Sequence, residues 1–332
     1  MKIIKILSFI FIIFFNISES SSAETFDDWI ISFKKYAMKK GISKKTLDET
    51  MSYVKFLPKV IKYDRYQPEF YEDTNTYVSK RSSDEKLKKG KNLFNKNSSL
   101  ILEVESKYNI EKELLLSLMG IETNFGKYLG KMDILSSLST LSFDRRRSDF
   151  FTNELIIVLK LIDDGIIDKD TLFGSWAGAF GNFQFMPSTI DNYAIDYNND
   201  KSIDLKSIED SFGSAANYIS KLGWKKNNPC FYKVELSENI PVKLLNTSAK
   251  KIKNKKKFKY IKKYIINSQS IDVDENLIVG LITPDRDIVE NSKLLEPAYL
   301  TFDNYELILK WNRSLRFALA VCTLKEKFKN EL

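Results

Sequence analysis

From Phe26 to Trp224 the apolar residues recur at three- and four-residue intervals, the spacing of helices buried along one face. FDDWIISFKKYAMKKG places Trp29, Phe33 and Ala37 one turn apart and stops at Gly41, and ISKKTLDETM follows with Ser43 placed to cap it. LPKVIKYDRYQPEF is aromatic and broken by prolines, and a polar, lysine-rich helix is predicted from about Ser83 to Asn95. NSSLILEVESKYNIEKELLLSLMGIETNFG reads as two helices with Asn109 capping the second, and SDFFTNELIIVLKLIDDG as one more, ended by Gly165. In GSWAGAFGNFQFMPSTIDNYA the period breaks. Gly174, Gly178 and Gly181 lie among Trp176, Phe180, Phe183 and Phe185, a density of glycine that fits close backbone approach. Pro187–Asp191 then predicts a helix start with Ser188 as the cap, and SFGSAANYISKLGW a helix with small residues on one side.

Beyond Trp224 the pattern changes. CFYKVEL, IIN and NLIVGLI are short and rich in β-branched or aromatic residues, as strands are. NYELILKWNRSLRFALAVCTLKEKF closes the chain as one helix, and no internal repeat is present. The predicted fold class is α+β, predominantly α-helical: a helical core over 24–229, a small β-containing insertion over 230–297 and a C-terminal helix over 298–332 returning to the core.

Composition narrows the setting. At 43% hydrophobic residues the chain is globular rather than disordered. Residues 1–23 carry Lys2 and Lys5, an apolar core from Ile6 to Phe15 and a small-residue end at Ser21–Ala23, the pattern of a secretory signal peptide. That core is short of the roughly 20 residues a membrane span needs, and no Cys follows it to take a lipid. The expected product is an exported protein of a bacterial periplasm with no transmembrane anchor once the leader is cleaved. The formal charge is +8, but Ala249–Lys263 holds nine lysines and no acid, and without them the mature chain would be net acidic. The run is either a solvated loop or a contact for an anionic surface. Export permits a disulfide between Cys230 and Cys322, and spacing leaves their pairing open. The chain contains no His, which removes His-based triads and argues against a zinc enzyme.

Acid–base chemistry therefore falls to carboxylates, Lys or Tyr. LLLSLMGIETNFG carries a single one, Glu122, with Leu118 and Met119 one helical turn below it and Phe125 nearly one turn above. Apolar surroundings raise a carboxyl's pKa and suit a general acid; taken alone, an outward-facing surface charge is the commoner reading. The downstream aromatic–glycine stretch favours the acid, because flat rings stack on sugars and an amide such as Gln184 among Phe183, Phe185 and Met186 needs hydrogen-bond partners.

GIETNFG, LSFDRRRSDFF, SWAGAFGNFQFMPST, SAANYISKLGW and LILKWNRSLRFALAV occur in this order, and together they resemble the lytic murein transglycosylase B family. FDDWIISFKKYAMKKGIS and YDRYQPEF are similar to its N-terminal portion, and the resemblance weakens between about Ser237 and Leu295. It implies an elaborated lysozyme-like fold acting on peptidoglycan glycan strands. Glu122 stands at the family's sole catalytic acid. Ser175, Gln184, Tyr218 and Asn312 match positions that contact the glycan, Tyr77 more loosely, and Phe185 and Met186 the apolar floor of the groove. The implied reaction splits the bond between N-acetylmuramic acid and N-acetylglucosamine without water, leaving a 1,6-anhydro end. Ser136 and Asn182–Phe183 depart from the family's pattern, and neither is expected to touch the acid.

No cofactor is required by this chemistry. The resemblance also brings a calcium loop, matched by DYNNDKSIDLKS with Asp196, Asn198, Asp200 and Asp204 at ligand positions. Lys201 replaces the turn glycine and Ser207 the bidentate acid, so any calcium site over Asp196–Ser207 is expected to be weak. Two other functions compete: a lysozyme-like hydrolase, and a non-catalytic wall-binding or scaffold protein. Cell-wall synthesis or division proteins are the candidate partners. Nucleic acid is not expected, since the lysine run interleaves no stacking residues beyond Phe258 and Tyr260.

Overall fold

The structure, a computed structural model, describes residues 24–67, 71–286, 288–290 and 292–332. The leader over 1–23 lies outside the described residues, as do residues 68–70 of the YDRYQPEF stretch.

Helices α1 (Phe26–Lys39), α2 (Lys44–Thr50), α3 (Pro58–Arg65), α4 (Thr74–Arg81), α5 (Asp84–Lys96), α6 (Ser98–Tyr108) and α7 (Lys112–Thr123) follow one another. Strands β1 (Met132–Asp133) and β2 (Phe173–Gly174) pair antiparallel and enclose α8 (Ile134–Phe143) and α9 (Ser148–Asp163). Next come α10 (Pro187–Tyr193) and α11 (Ile208–Leu222).

α7 is the central helix. Leu114, Leu115, Leu116 and Leu118 are fully buried, so it is apolar all round, as a helix wrapped by others must be. Its N-terminus is tied to both ends of the core. The buried Glu111 carboxylate accepts from Trp224 Nε1 (2.5 Å) and the Asn227 amide (2.9 Å), with Lys325 Nζ at 3.5 Å.

Three helix boundaries differ from the sequence reading. Asn109 does not cap α7; it ends α6 in the left-handed region (φ 54°), which Asn tolerates. Ser188 is not the cap of α10, which opens with Pro187 at its first turn. The Ser188 amide and hydroxyl instead donate to the buried Glu154 at 2.8 and 2.6 Å, so a carboxylate from α9 occupies the helix N-terminus. The closing helix is two helices, α13 (Asp303–Trp311) and α14 (Leu315–Lys329). Asn312 turns extended (φ −139°, ψ 122°), and Ser314 caps α14 by accepting from the Phe317 amide at 3.2 Å.

Between α11 and α13 lie β3 (Phe231–Val234), β4 (Leu245–Asn246), β5 (Lys256–Lys257), α12 (Phe258–Ile261), β6 (Ile278–Ile282) and β7 (Ala298–Thr301). The sheet order is β3-β7-β6-β4, with β5 paired to β6. β4 runs parallel to β6 and the other pairs are antiparallel. Val234, Phe258, Ile261, Leu281 and Leu300 form its separate apolar cluster. The IIN segment is no strand: only Ile265 bridges to Leu236, and short 3₁₀ turns flank it. The lysine run is more ordered than a solvated loop, because Ile252, Phe258 and Ile261 are buried teeth between the outward lysines. Lys255 pairs with Glu306 (2.5 Å) and Lys262 with Glu275 (2.9 Å).

Cys230 and Cys322 are disulfide-bonded, joining the start of β3 to α14. A second tie is buried. Asp285 accepts from Arg316 of α14 (2.8 Å) and from the Thr74 amide at the start of α4 (3.0 Å).

Candidate active site

Glu122 is the penultimate residue of α7, half-exposed while Leu118 and Met119 beneath it are buried. Phe125 does not continue the helix above it. Asn124, Phe125 and Gly126 all take positive φ (51°, 61° and 79°), which ends α7 abruptly and folds the Phe125 ring back against Gly120. A bulky residue in that region is rare.

Two contacts fix this helix end. Thr123 is fully buried; its hydroxyl donates to the carbonyl of Asn182 at 2.8 Å and accepts from the Gly126 amide at 3.0 Å. The Asn182 amide group in turn donates to the carbonyl of Lys206 (2.9 Å) and to Ser211 Oγ (3.0 Å). Asn182, a departure not expected to touch the acid, is thus bonded to the residue beside it, Thr123. The second contact comes from α13: Trp311 Nε1 donates to Glu122 Oε1 at 3.0 Å.

The aromatic–glycine stretch forms a tight reversal, with Phe180 and Phe185 exchanging backbone bonds at 3.1 and 2.9 Å. At Gly181 (φ 78°) a Cβ would lie 2.7 Å from the Leu205 carbonyl oxygen, so glycine is demanded there. Gln184 sits at the tip with φ 50°, and its amide donates to the carbonyls of Gly181 (2.9 Å) and Leu129 (3.2 Å). Phe185 is buried edge-on to Trp311 (5.4 Å) and Tyr218 (6.0 Å), and Met186 is half-buried at the start of α10. Tyr218 stacks on Trp311 (5.1 Å) and on Tyr193 (4.3 Å), and its hydroxyl reaches the Lys310 carbonyl at 3.4 Å. Burial, then the neighbouring Tyr193, push its phenol up to about 12, so it stays neutral and remains a donor.

Glu122, Phe185 and Tyr218 are therefore gathered around one indole. Asn312 follows that indole at the helix break. Ser175 stands in the turn after β2, its hydroxyl accepting from the amides of Ala177 (3.3 Å) and Ala179 (3.0 Å). Tyr77 is only 4% exposed in α4, with the Arg81 guanidinium 3.5 Å above its ring. Ser136 accepts from the Lys55 amide at 3.0 Å and lies in the first turn of α8. Sequence reasoning missed Thr123 and Trp311. Trp311 stands one residue before Asn312, but its role needs the helix break that the continuous apolar pattern hid.

The expected metal ligands hold their own loop. Asp196 accepts from the amides of Asp200 (3.1 Å) and Lys201 (2.7 Å), Asn198 from the Asp200 amide, Asp200 from the Ser202 amide (2.9 Å) and Asp204 from the Lys206 amide (2.8 Å). The Ser207 hydroxyl caps α11. Among the described residues no three His, Cys, Asp or Glu side chains gather as a metal-binding group.

A family profile described as "Transglycosylase SLT domain" matches residues 25–326. Over 122 residues the chain is 41% identical to membrane-bound lytic murein transglycosylase B of Escherichia coli (strain K12); the match spans 36% of this chain and 34% of that relative, about a third of its length. SltB3 from Pseudomonas aeruginosa, solved with NAG-NAM-pentapeptide and separately with NAG-anhNAM-pentapeptide, superposes with TM-scores of 0.80 and 0.79. The chains are 27% identical, with 92% of this chain and 80% of SltB3 covered. The Escherichia coli lytic transglycosylase Slt35, solved in complex with calcium, gives a TM-score of 0.75 at 25% identity, covering 91% of this chain and 93% of Slt35. The chain belongs to the transglycosylase SLT domain family.

Proposed function

We propose that this protein is a periplasmic lytic transglycosylase that cuts the glycan strands of peptidoglycan, with Glu122 as both acid and base. The observation that carries the reading is a carboxyl at the end of a buried helix, bonded to an indole N–H and set against aromatic rings. SltB3 supports the substrate class through its bound disaccharide-peptides. The disulfide fits an oxidising compartment, and no described helix is long and apolar enough to cross a membrane.

Most glycosidases use two carboxylates; here the sugar supplies the nucleophile. Protonated Glu122 gives its proton to the glycosidic oxygen as the bond from the muramic acid C1 breaks. The neighbouring N-acetyl group supports the positive centre. The Glu122 carboxylate then takes the proton of the C6 hydroxyl, whose oxygen closes on C1. One proton leaves and one returns, one C–O bond breaks and one forms, and no water is consumed. Gln184 and Tyr218 supply polar edges along the aromatic wall, Phe185 and Met186 its apolar floor. Ser175, Asn312 and Tyr77 are assigned further glycan contacts. The calcium of Slt35 is not carried over, because Lys201 stands at the position of the turn glycine and Ser207 at that of the bidentate acid.

Glu122→Gln keeps the shape and the acceptor for Trp311 but cannot exchange a proton. Turnover of purified sacculi should fall about a thousandfold, the scale of a general acid. A variant as active as the parent would remove Glu122 from the reaction.

A further inference from the structure

The wall that carries Gln184 and Ser175 continues past them. Residues 128–130 form a ledge from the end of α7 to the β1–β2 pair. The Tyr128 amide donates to the Thr123 carbonyl at 2.9 Å, and the Leu129 carbonyl accepts from Gln184 Nε2 at 3.2 Å. Gly130 (φ 86°) lies so close to the Gly174 carbonyl and the Ser175 amide that no Cβ would fit. One register step beyond the Met132–Gly174 pair, Phe173 faces Asp133. Two residues of extended chain carry Phe173 about 7 Å past Ser175.

There a hollow of about 230 Å³ opens between β2 and the connection from α2 to α3. Phe173, 50% exposed, and Tyr53, 78% exposed, are its aromatic walls. The connection that carries Tyr53 is pinned, because the Lys55 and Leu57 amides donate to Ser136 Oγ and Thr140 Oγ1 of α8, each at 3.0 Å. Glu49, Asp133, Asp170 and Lys169 complete the lining, three carboxylates against one ammonium. Flat rings with hydrogen-bonding groups at their edges suit a sugar. The excess of carboxylates selects among sugars. Stem peptides carry more carboxylates than amines, and like charges brought together repel, so the ring that fits is one without a stem.

We propose that this hollow is a further glycan subsite, which seats an N-acetylglucosamine ring of the strand lying over Glu122, with Tyr53 and Phe173 as its stacking residues. This rests on the peptidoglycan reading above. The hydroxyls of the neutral ring can donate to the carboxylates, and its acetamide oxygen can accept from Lys169.

Calorimetry on the Glu122→Gln protein, with purified strands that lengthen one disaccharide at a time, reads the subsite without turnover. Affinity should step up about tenfold at the length that first reaches the hollow, the scale of one aromatic contact. Tyr53→Ala and Phe173→Ala, both at exposed positions, should abolish that step and leave shorter strands bound within about twofold. Enzymatic removal of the stem peptides should leave the step in place. The proposal is overturned by the absence of any step, by variants that keep it, or by variants weakened equally at every length. A step that vanishes with the peptides would make the hollow a peptide site and overturn it too. If short strands are cut by the unsubstituted protein and no step is found, the subsite alone has failed. If no strand of any length is bound or cut, the peptidoglycan reading has failed and the subsite with it.

Discussion

At the scale of single residues, Glu122 depends on a neighbour whose importance is steric and polar rather than chemical. Thr123 and Asn182 are both buried, and their 2.8 Å bond joins the end of α7 to the aromatic reversal. Thr123→Val keeps the volume and leaves the Asn182 carbonyl and the Gly126 amide without their partner. Leaving buried groups unpaired costs about 1–3 kcal/mol, so urea unfolding should show a loss of that size together with lower turnover. No change in either would mean the bond does not hold the site. Glu122 stands out in the sequence as the lone carboxylate near the end of an apolar run. Thr123 does not, since its partner lies 59 positions away and no local period announces it. Trp311 was hidden similarly, 189 positions from the carboxyl it contacts.

At the scale of elements, helix interiors were readable and so were some ends: Ser43 and Ser83 cap α2 and α5, and Gly41 and Gly165 follow the last turns of α1 and α9 with positive φ. Apolar spacing located α1, α2, α5, α6, α7, α9 and α11, where one face or the whole surface is buried. It missed α8, whose ILSSLSTLSF buries serines along with leucines, and it ran α13 into α14, because the apolar residues continue across a break made by Asn312 and Ser314. The end of α7 is such a boundary. A Cβ on Gly120 would lie 2.6 Å from Phe125 Cζ, and the ring also abuts Gly90, so it has little room to yield. Gly120→Ala gains about 1 kcal/mol of helix propensity against about 1–3 kcal/mol of overpacking. Net stability should therefore fall by about 0–2 kcal/mol. The displaced turn after Glu122 should lower turnover at least about tenfold. Thermal melts beside sacculus digestion would separate the two effects, and full activity would show that the turn does not set the acid.

At the scale of the whole molecule, the sheet-bearing segment returns to the helical core through the Cys230–Cys322 bond and the buried Asp285–Arg316 pair. Spacing could not decide the disulfide, which spans 92 positions and encloses the whole sheet. Closing so long a loop restricts the unfolded chain, and removing such a bridge costs about 2–5 kcal/mol. The double variant Cys230→Ala, Cys322→Ala should lose that much in denaturant titrations while keeping turnover at low temperature, since neither sulfur belongs to the site. Loss of activity without loss of stability would place the bridge in the site instead. The central claim is that the sugar's own C6 hydroxyl, not water, closes the reaction. Digestion of purified sacculi in 18O-enriched water, followed by mass spectrometry of the released muropeptides, tests it directly. The account predicts products one water lighter than hydrolysed ends and free of 18O; products carrying solvent oxygen at the new end would contradict it.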